Sequence, residues 1–403
     1  MKKSIFILFL ILSSIAMNAQ KISSLEKEIL ERVEANHQQA LNTLKNQVNI
    51  NSGTMNFDGV RMVGKNYIDE FDKLGFKTDW VNQDHVNRAG HFFAEQQGNS
   101  GKKILLIGHL DTVFEEDSPF QEYKALNDST ATGPGVNDMK SGNVMILFAL
   151  KALKEAGAIP DANIIVALTG DEEDSGHPIS QSRKHLIEAA QRSDVALGFE
   201  TASGFNFATV ARRASYSWKL EVTGKQAHSS GIFSDNTGAG SIYEASRILT
   251  SFYEDLREEN LTYNAGVIIG GNQVTYDEEN IRGSVSGKTN IVPKKTIVHG
   301  GIRFLTLEQG ERVFKKMETI ANENLPQTSA ELTIFEDGYP PMEPSTGNME
   351  LLKVLDKLSR DIGLGEVKAY DPAKRGAADI SFVANYVDAL GGLGAMGNGA
   401  HGP

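Results

Sequence analysis

The chain has 403 residues, 40% hydrophobic and 23% charged, with no cysteine and a formal net charge of −12. That length exceeds a single compact core and predicts two domains. The negative charge excludes a nucleic-acid partner, because no basic field exists to displace phosphate counterions, and the missing cysteines exclude a disulfide frame.

Lys2 and Lys3 precede an apolar stretch from Ile5 to Ala16, then Met17-Asn18-Ala19-Gln20. This pattern predicts a secretory signal peptide over residues 1–19, cleaved after Ala19. It is short for a membrane span, and no other apolar run approaches that length. The mature protein is therefore expected to be soluble, secreted or periplasmic, with no membrane partner. Residues 24–50 read as an amphipathic helix with Ser24 as its N-cap. A second helix is expected over 58–74, ending at Gly75, followed by strands near 77–81 and 90–94.

Leu105-Leu106-Ile107-Gly108-His109-Leu110-Asp111-Thr112-Val113 is an apolar run that ends in a His and an Asp. It reads as a parallel strand buried on both faces. Ligands of open α/β sheets bind just beyond such strand ends. His109 and Asp111 point to one side of the strand, so His109 can ligate a metal while Asp111 holds its ring from behind. Gly133-Pro134-Gly135-Val136-Asn137-Asp138-Met139-Lys140 builds an irregular turn before an apolar helix over 142–156, where Asp138 is either a helix cap or a ligand. A second buried strand, 164–168, ends in Asp171-Glu172-Glu173-Asp174. Four acids there are costly unless a cation lies among them. A third strand, 195–199, ends in Glu200.

From Arg212 the character changes. Tyr216, Trp218, Leu220 and Val222 alternate with Ser217, Lys219 and Glu221, as in a half-exposed antiparallel strand. A helix near 240–257, strands near 265–270 and 296–304, a helix near 307–324 and a strand at 331–335 follow. This β-α-β-β-α-β order predicts a compact α+β unit inserted in the first domain. Pro340 and Pro341 mark the return, with helices near 349–362 and 378–385, a strand near 387–390, and a Gly-rich end carrying His401. The predicted fold class is thus α/β: a mixed, mostly parallel sheet flanked by helices, plus an inserted ferredoxin-like unit. The boundaries are 20–213 and 339–403 for the first domain and 214–338 for the insertion.

Gly108-His109-Leu110-Asp111-Thr112, Gly135-Val136-Asn137-Asp138-Met139-Lys140, Asp171-Glu172-Glu173, Glu200 and Gly399-Ala400-His401 occur in order. Together they resemble the M20 family of dinuclear zinc peptidases, of the glutamate carboxypeptidase type. The resemblance covers essentially the whole mature chain. It implies two zinc ions per subunit, with Co2+ or Mn2+ as substitutes: His109 and Glu200 on one, Glu173 and His401 on the other, Asp138 bridging. Neutral imidazoles with carboxylates suit zinc on general grounds. Glu172 would be the general base acting on the water that the metals share, Asp111 would count among the catalytic residues as the group behind the His109 ring, and the Asp138–Met139 peptide is expected to be cis.

The resemblance also makes the insertion a lid and dimerisation domain. His228, in Gly224-Lys225-Gln226-Ala227-His228-Ser229-Ser230, would reach the partner's site in a homodimer and stabilise the oxyanion. Asn290 would contact substrate, and Arg303 would pair with a substrate carboxylate. Arg375 and Asp379 fall in a segment expected to line the same cleft. Gly301 stands where the family commonly has an acid, and the family pattern continues past the final His. The implied activity is that of a secreted carboxypeptidase-like exopeptidase cleaving an amide beside a free carboxylate in a small peptide. Glu200, where aminopeptidase-like relatives tend to carry Asp, favours the carboxypeptidase and deacylase branches. An N-acyl-amino-acid deacylase and, from another class, a non-catalytic binding protein on a peptidase scaffold are the alternatives.

Overall fold

A computed structural model of the chain describes residues 22–159, 162–278 and 280–402; the signal-peptide expectation, over 1–19, lies outside them. Helix α1 is Ser24–Val48. Its cap is Ser23 rather than the expected Ser24, because Glu26 stands three residues after Ser23 and closes a capping box with it. Helix α2, Phe57–Leu74, stops at Gly75, which takes a left-handed φ of 85°. Strands β1 (Lys77–Gln83), β2 (Arg88–Gln96) and β3 (Lys103–His109) follow. Then come α3 (Ser141–Glu155), β4 (Asn163–Thr169), α4 (Lys184–Gln191) and β5 (Val195–Gly198).

The second block consists of β6 (Ser215–Gly224), α5 (Ser241–Asp255), β7 (Thr262–Gly271), β8 (Lys295–Arg303), α6 (Leu307–Asn322) and β9 (Thr328–Tyr339). Helix α7 (Thr346–Asp361), the short helix Ile380–Val383 and strand β10 (Asp388–Leu390) return to the first sheet.

The first sheet has the order β1-β2-β4-β3-β5-β10. Its four strands β4, β3, β5 and β10 run parallel, and β1 and β2 are antiparallel. Strand β3 lies between two parallel neighbours, and its side chains serve two cores. Leu105 and Ile107 pack with Ile165, Leu186 and Ile380, whereas Leu106 packs with Val60, Val144 and Leu147. Helices therefore cover both faces, as the unbroken apolar run requires. Gly108 lets α3 approach β3: a Cβ there would meet Asn143 Oδ1 at 2.1 Å, and Asn143 donates to the His109 carbonyl at 2.5 Å.

The second sheet has the order β7-β8-β6-β9, with every pairing antiparallel. Trp218, Leu220 and Val222 face Ile248, Phe252, Val313 and Met317 of α5 and α6. A hairpin over 273–286, which the sequence pattern did not reveal, extends beyond this sheet. The chain enters and leaves this block side by side, since Arg212 and Met342 exchange both backbone hydrogen bonds, at 2.9 and 3.0 Å. Among the described residues no helix is long and apolar enough to cross a membrane.

Candidate metal centre

The carboxyl ends of β3, β4 and β5 converge on one cluster. His109 is the last residue of β3 and is 1% exposed. Its Nε2 lies 3.2 Å from Asp138 Oδ1 and 3.5 Å from Glu200 Oε1. On the other side, His401 Nε2 lies 3.3 Å from Glu173 Oε2 and 3.7 Å from Asp138 Oδ2. His109–Asp138–Glu200 and Asp138–Glu173–His401 are each a set of groups able to hold a metal ion. Asp138 thus shows one oxygen to each set. It caps no helix: α3 begins at Ser141 without a side-chain cap. Instead it sits in the irregular turn 136–140, whose Asp138–Met139 bond is cis, as expected. Lys140 ties this turn to the end of α1, donating to the Gln47 and Ile50 carbonyls at 3.0 and 2.8 Å. Burial brings that lysine down to about 7.

The electrostatics of the cluster call for a cation. Burial, reinforced by the neighbouring acids, pushes Glu173 up to about 9 and Glu200 up to about 7. Glu172 is raised well above the usual range, first by burial and then by Glu200. Glu173 Oε1 is buried with no hydrogen-bond partner. Without a cation, protons would neutralise such a site at neutral pH; a divalent ion would displace them and take up the orphaned oxygen. Mixed imidazole and carboxylate donors fit zinc.

Asp111 does more than hold the ring. Its Oδ1 is 3.3 Å from His109 Nδ1, and its two oxygens accept the backbone N–H groups of Glu172 and Glu173, each at 3.1 Å. Thr54 donates to it at 2.7 Å. Of the four acids that end β4, the outer two turn away to arginines. Asp171 meets Arg183 Nη1 at 2.5 Å, and Asp174 meets Arg88 Nη2 at 2.9 Å. Arg183 also binds Asp379 through Nε at 2.7 Å. Asp379 is therefore engaged behind the cluster, where it also accepts from Thr169 at 2.5 Å.

The remaining predicted residues are spread out. His228 is exposed, its ring 2.8 Å from the Ser230 hydroxyl. Asn290 is exposed too, and its carbonyl accepts from the Ser229 N–H at 2.9 Å, which holds its loop beside that of His228. Among the described residues, none of the metal-holding groups includes His228.

The sequence profile of peptidase family M20/M25/M40 matches residues 105–403. The chain belongs to that family. Carboxypeptidase G2 of Pseudomonas sp. (strain RS-16) is 26% identical over 315 residues, covering 77% of this chain and 71% of its own. A probable succinyl-diaminopimelate desuccinylase of Staphylococcus aureus (strain MRSA252) is 27% identical over 255 residues, 59% of this chain and 58% of its own. In fold, the aminopeptidase PepT of Bacillus cereus superposes with a TM-score of 0.69 at 19% identity, covering 88% of this chain and 90% of that one. This M20 member is accordingly an enzyme, a metallopeptidase or amidohydrolase, and not a binding protein on a peptidase scaffold.

Arg212 lies near Arg375 and Arg213 near Arg303, and none of the four forms a salt bridge among the described residues. Arg375, half-buried, donates only to Ser203 Oγ and the Thr201 carbonyl, at 3.1 and 3.0 Å. Arg212 is 2% exposed and donates to the Gly376 and Ala377 carbonyls, while its Nε and Nη2 have no partner. Burial, then the charge of Arg375, lowers Arg212 to about 10. Arg213 binds Thr262 Oγ1 and the Ala373 carbonyl, and burial followed by the charge of Arg303 lowers it also. Sequence reasoning singled out Arg303 and Arg375 but not Arg212, although Arg212-Arg213 stands where the chain enters the second sheet.

Proposed function

We propose that this chain is a zinc-dependent exopeptidase of carboxypeptidase type, cleaving an amide beside a free carboxylate. The observation that carries the reading is Asp138, one oxygen turned to His109 and the other to His401. His109 and Glu200 would hold one ion, Glu173 and His401 the other, and Asp138 both. When bound, paired zinc ions polarise the scissile carbonyl and lower the pKa of an attacking water. Glu172, whose carboxylate is 4.0 Å from His109 Nε2, would accept the proton from that water and deliver it to the leaving amine. Asp111 would hold the Glu172 and Glu173 backbone, and His109, in place.

Arg375 and Arg303, which form no salt bridge among the described residues, support a substrate with a free carboxylate. Arg375 and Arg303 would recognise it through their planar forks, and Asn290 would contact the substrate. His228 would serve the oxyanion of a neighbouring subunit in a homodimer formed through the second sheet and its helices. The Lys-Lys and apolar leader supports export. The relatedness to desuccinylases keeps an N-acyl-amino-acid deacylase as the second reading, since the same cluster serves either acyl group.

The test is release of free amino acids from N-blocked dipeptides and N-acyl amino acids, before chelation, after it, and with zinc restored. Zinc-dependent release is expected, and the preferred acyl group selects between the readings. No release from folded, zinc-loaded protein contradicts both. Gel filtration at micromolar concentration is expected to show a dimer; a monomer removes His228 from the mechanism.

A further inference from the structure

The backbone of Glu172 is held from both sheets of the molecule. Its N–H donates to Asp111 at the end of β3. Its carbonyl accepts, at 2.7 Å, the hydroxyl proton of Tyr339, the last residue of β9 in the second sheet. The Tyr339 oxygen in turn accepts from Arg183 Nη2 at 3.2 Å and lies 3.0 Å from Ser175 Oγ. A phenol has one proton to give. With that proton on the Glu172 carbonyl, Ser175 donates to Tyr339 and accepts from Arg183 Nη2 at 2.9 Å, so every group in the ring has a defined direction.

The same few residues of β9 grip the loop a second time. Asp337 Oδ1 accepts from the Ile179 N–H at 2.8 Å, and Oδ2 is 2.7 Å from His177 Nδ1. This is also where β9 leaves its own sheet: its ladder with β6 is regular to Phe335↔Ser217, then shifts register before Tyr339↔Ser215. The strand thus exchanges partners from the second sheet to the loop that carries Glu172 and Glu173. Beneath it, Arg183 is fully buried and fixed by Asp171 and Asp379, and the Tyr339 ring packs on Phe382 with centroids 4.8 Å apart. The platform is buried and ion-paired. The strap laid on it belongs to the block that enters and leaves through the narrow crossing at Arg212 and Met342.

We infer that Tyr339 is a positioning residue that anchors the backbone of Glu172 to the second sheet and so keeps the base aligned. This rests on the reading of Glu172 as the general base. A hydroxyl that fixes a backbone carbonyl sets where the attached carboxylate points, and a misplacement of about 1 Å at a reacting group can cost up to ~100-fold in rate.

The experiment compares zinc-loaded wild type with Tyr339→Phe, Glu172→Gln and the double variant, reading kcat, KM, zinc per chain and Tm. Tyr339→Phe is expected to lower kcat about tenfold with KM and zinc content unchanged, and to cause no further loss on top of Glu172→Gln, because a positioning group has nothing left to position. Asp337→Asn, at the outer grip, is expected to give the same pattern more weakly should Tyr339→Phe fold poorly. Wild-type kcat in both variants overturns the inference, as does a Tyr339→Phe loss that multiplies with that of Glu172→Gln or that follows lost zinc. Full turnover in Glu172→Gln overturns the base assignment itself and takes the inference with it.

Discussion

At the carboxyl ends of β3 and β4, His109, Asp111, Asp171 and Arg183 are buried, whereas His228 and Asn290 of the second block stand in exposed loops. The core of the second block is apolar, built on Trp218, Leu220, Phe252 and Met317. Burying a polar group costs several kcal/mol unless it is paired, so each buried group of the first region carries a network: Asp111 alone serves His109, Thr54 and two backbone N–H groups. The contrast teaches that the chemistry of the first region is assembled by folding. Of the second block, Tyr339 and Asp337 already reach that region, whereas His228 and Asn290 stand apart from it in exposed loops.

The sharpest way to break that contrast is at Glu172. Glu172→Gln is expected to cut turnover by roughly 10²–10⁴-fold with zinc content unchanged, measured by steady-state kinetics and metal analysis. A loss of metal instead would make Glu172 a ligand. Next in size is the platform behind it. Asp171→Asn leaves Arg183 buried with one charge partner fewer and is expected to cost about 3 kcal/mol in denaturant unfolding at pH 7. Arg183 holds Asp171 down to about 2 against the raising effect of burial. A carboxyl lowered in the folded state stabilises above its ordinary value near 3.8, and that contribution is lost as pH falls from there towards 2. The wild type should therefore lose this stability in that acid window, and Asp171→Asn should show a flatter profile.

A smaller effect is expected at the mouth. Arg375→Ala should lower kcat/KM by about 10- to 100-fold for substrates with a free carboxylate, the worth of one charge-assisted pair, and leave the corresponding amides unaffected. Equal losses on both would assign Arg375 to structure. The smallest change in stability belongs to the second block: His228→Ala should stay within about 0.5 kcal/mol of wild type even as turnover falls. A large loss of stability would erase the distinction between the regions.

The two regions were also unequally legible in the sequence. The strand ends could be read because an apolar run with no polar face has few structural meanings, and His109, Asp138, Glu173, Glu200 and His401 each follow such a run or a Gly-rich turn. The alternation of Trp218, Leu220 and Val222 likewise announced a half-exposed strand. Arg183 could not be read: nothing local marks it, and its partner Asp379, expected to line the cleft rather than to bind an arginine, lies 196 positions away. Tyr339 lies beyond the strand expected at 331–335 and was passed over, because a hydroxyl bonded to a backbone carbonyl 167 positions earlier leaves no pattern. The hairpins over 124–132 and 273–286 were missed because their strands are short and largely exposed, without the apolar alternation that reveals a buried face. Helix α4 was missed because an acidic loop and a proline precede it.

The most direct test of the central claim is the zinc content of the folded chain after loading and gel filtration, for wild type and for Asp138→Asn. Two ions per wild-type chain, falling to one or fewer in the variant with the fold retained, is the predicted result. Two ions retained without the Asp138 carboxylate, or none in folded wild type, would contradict it.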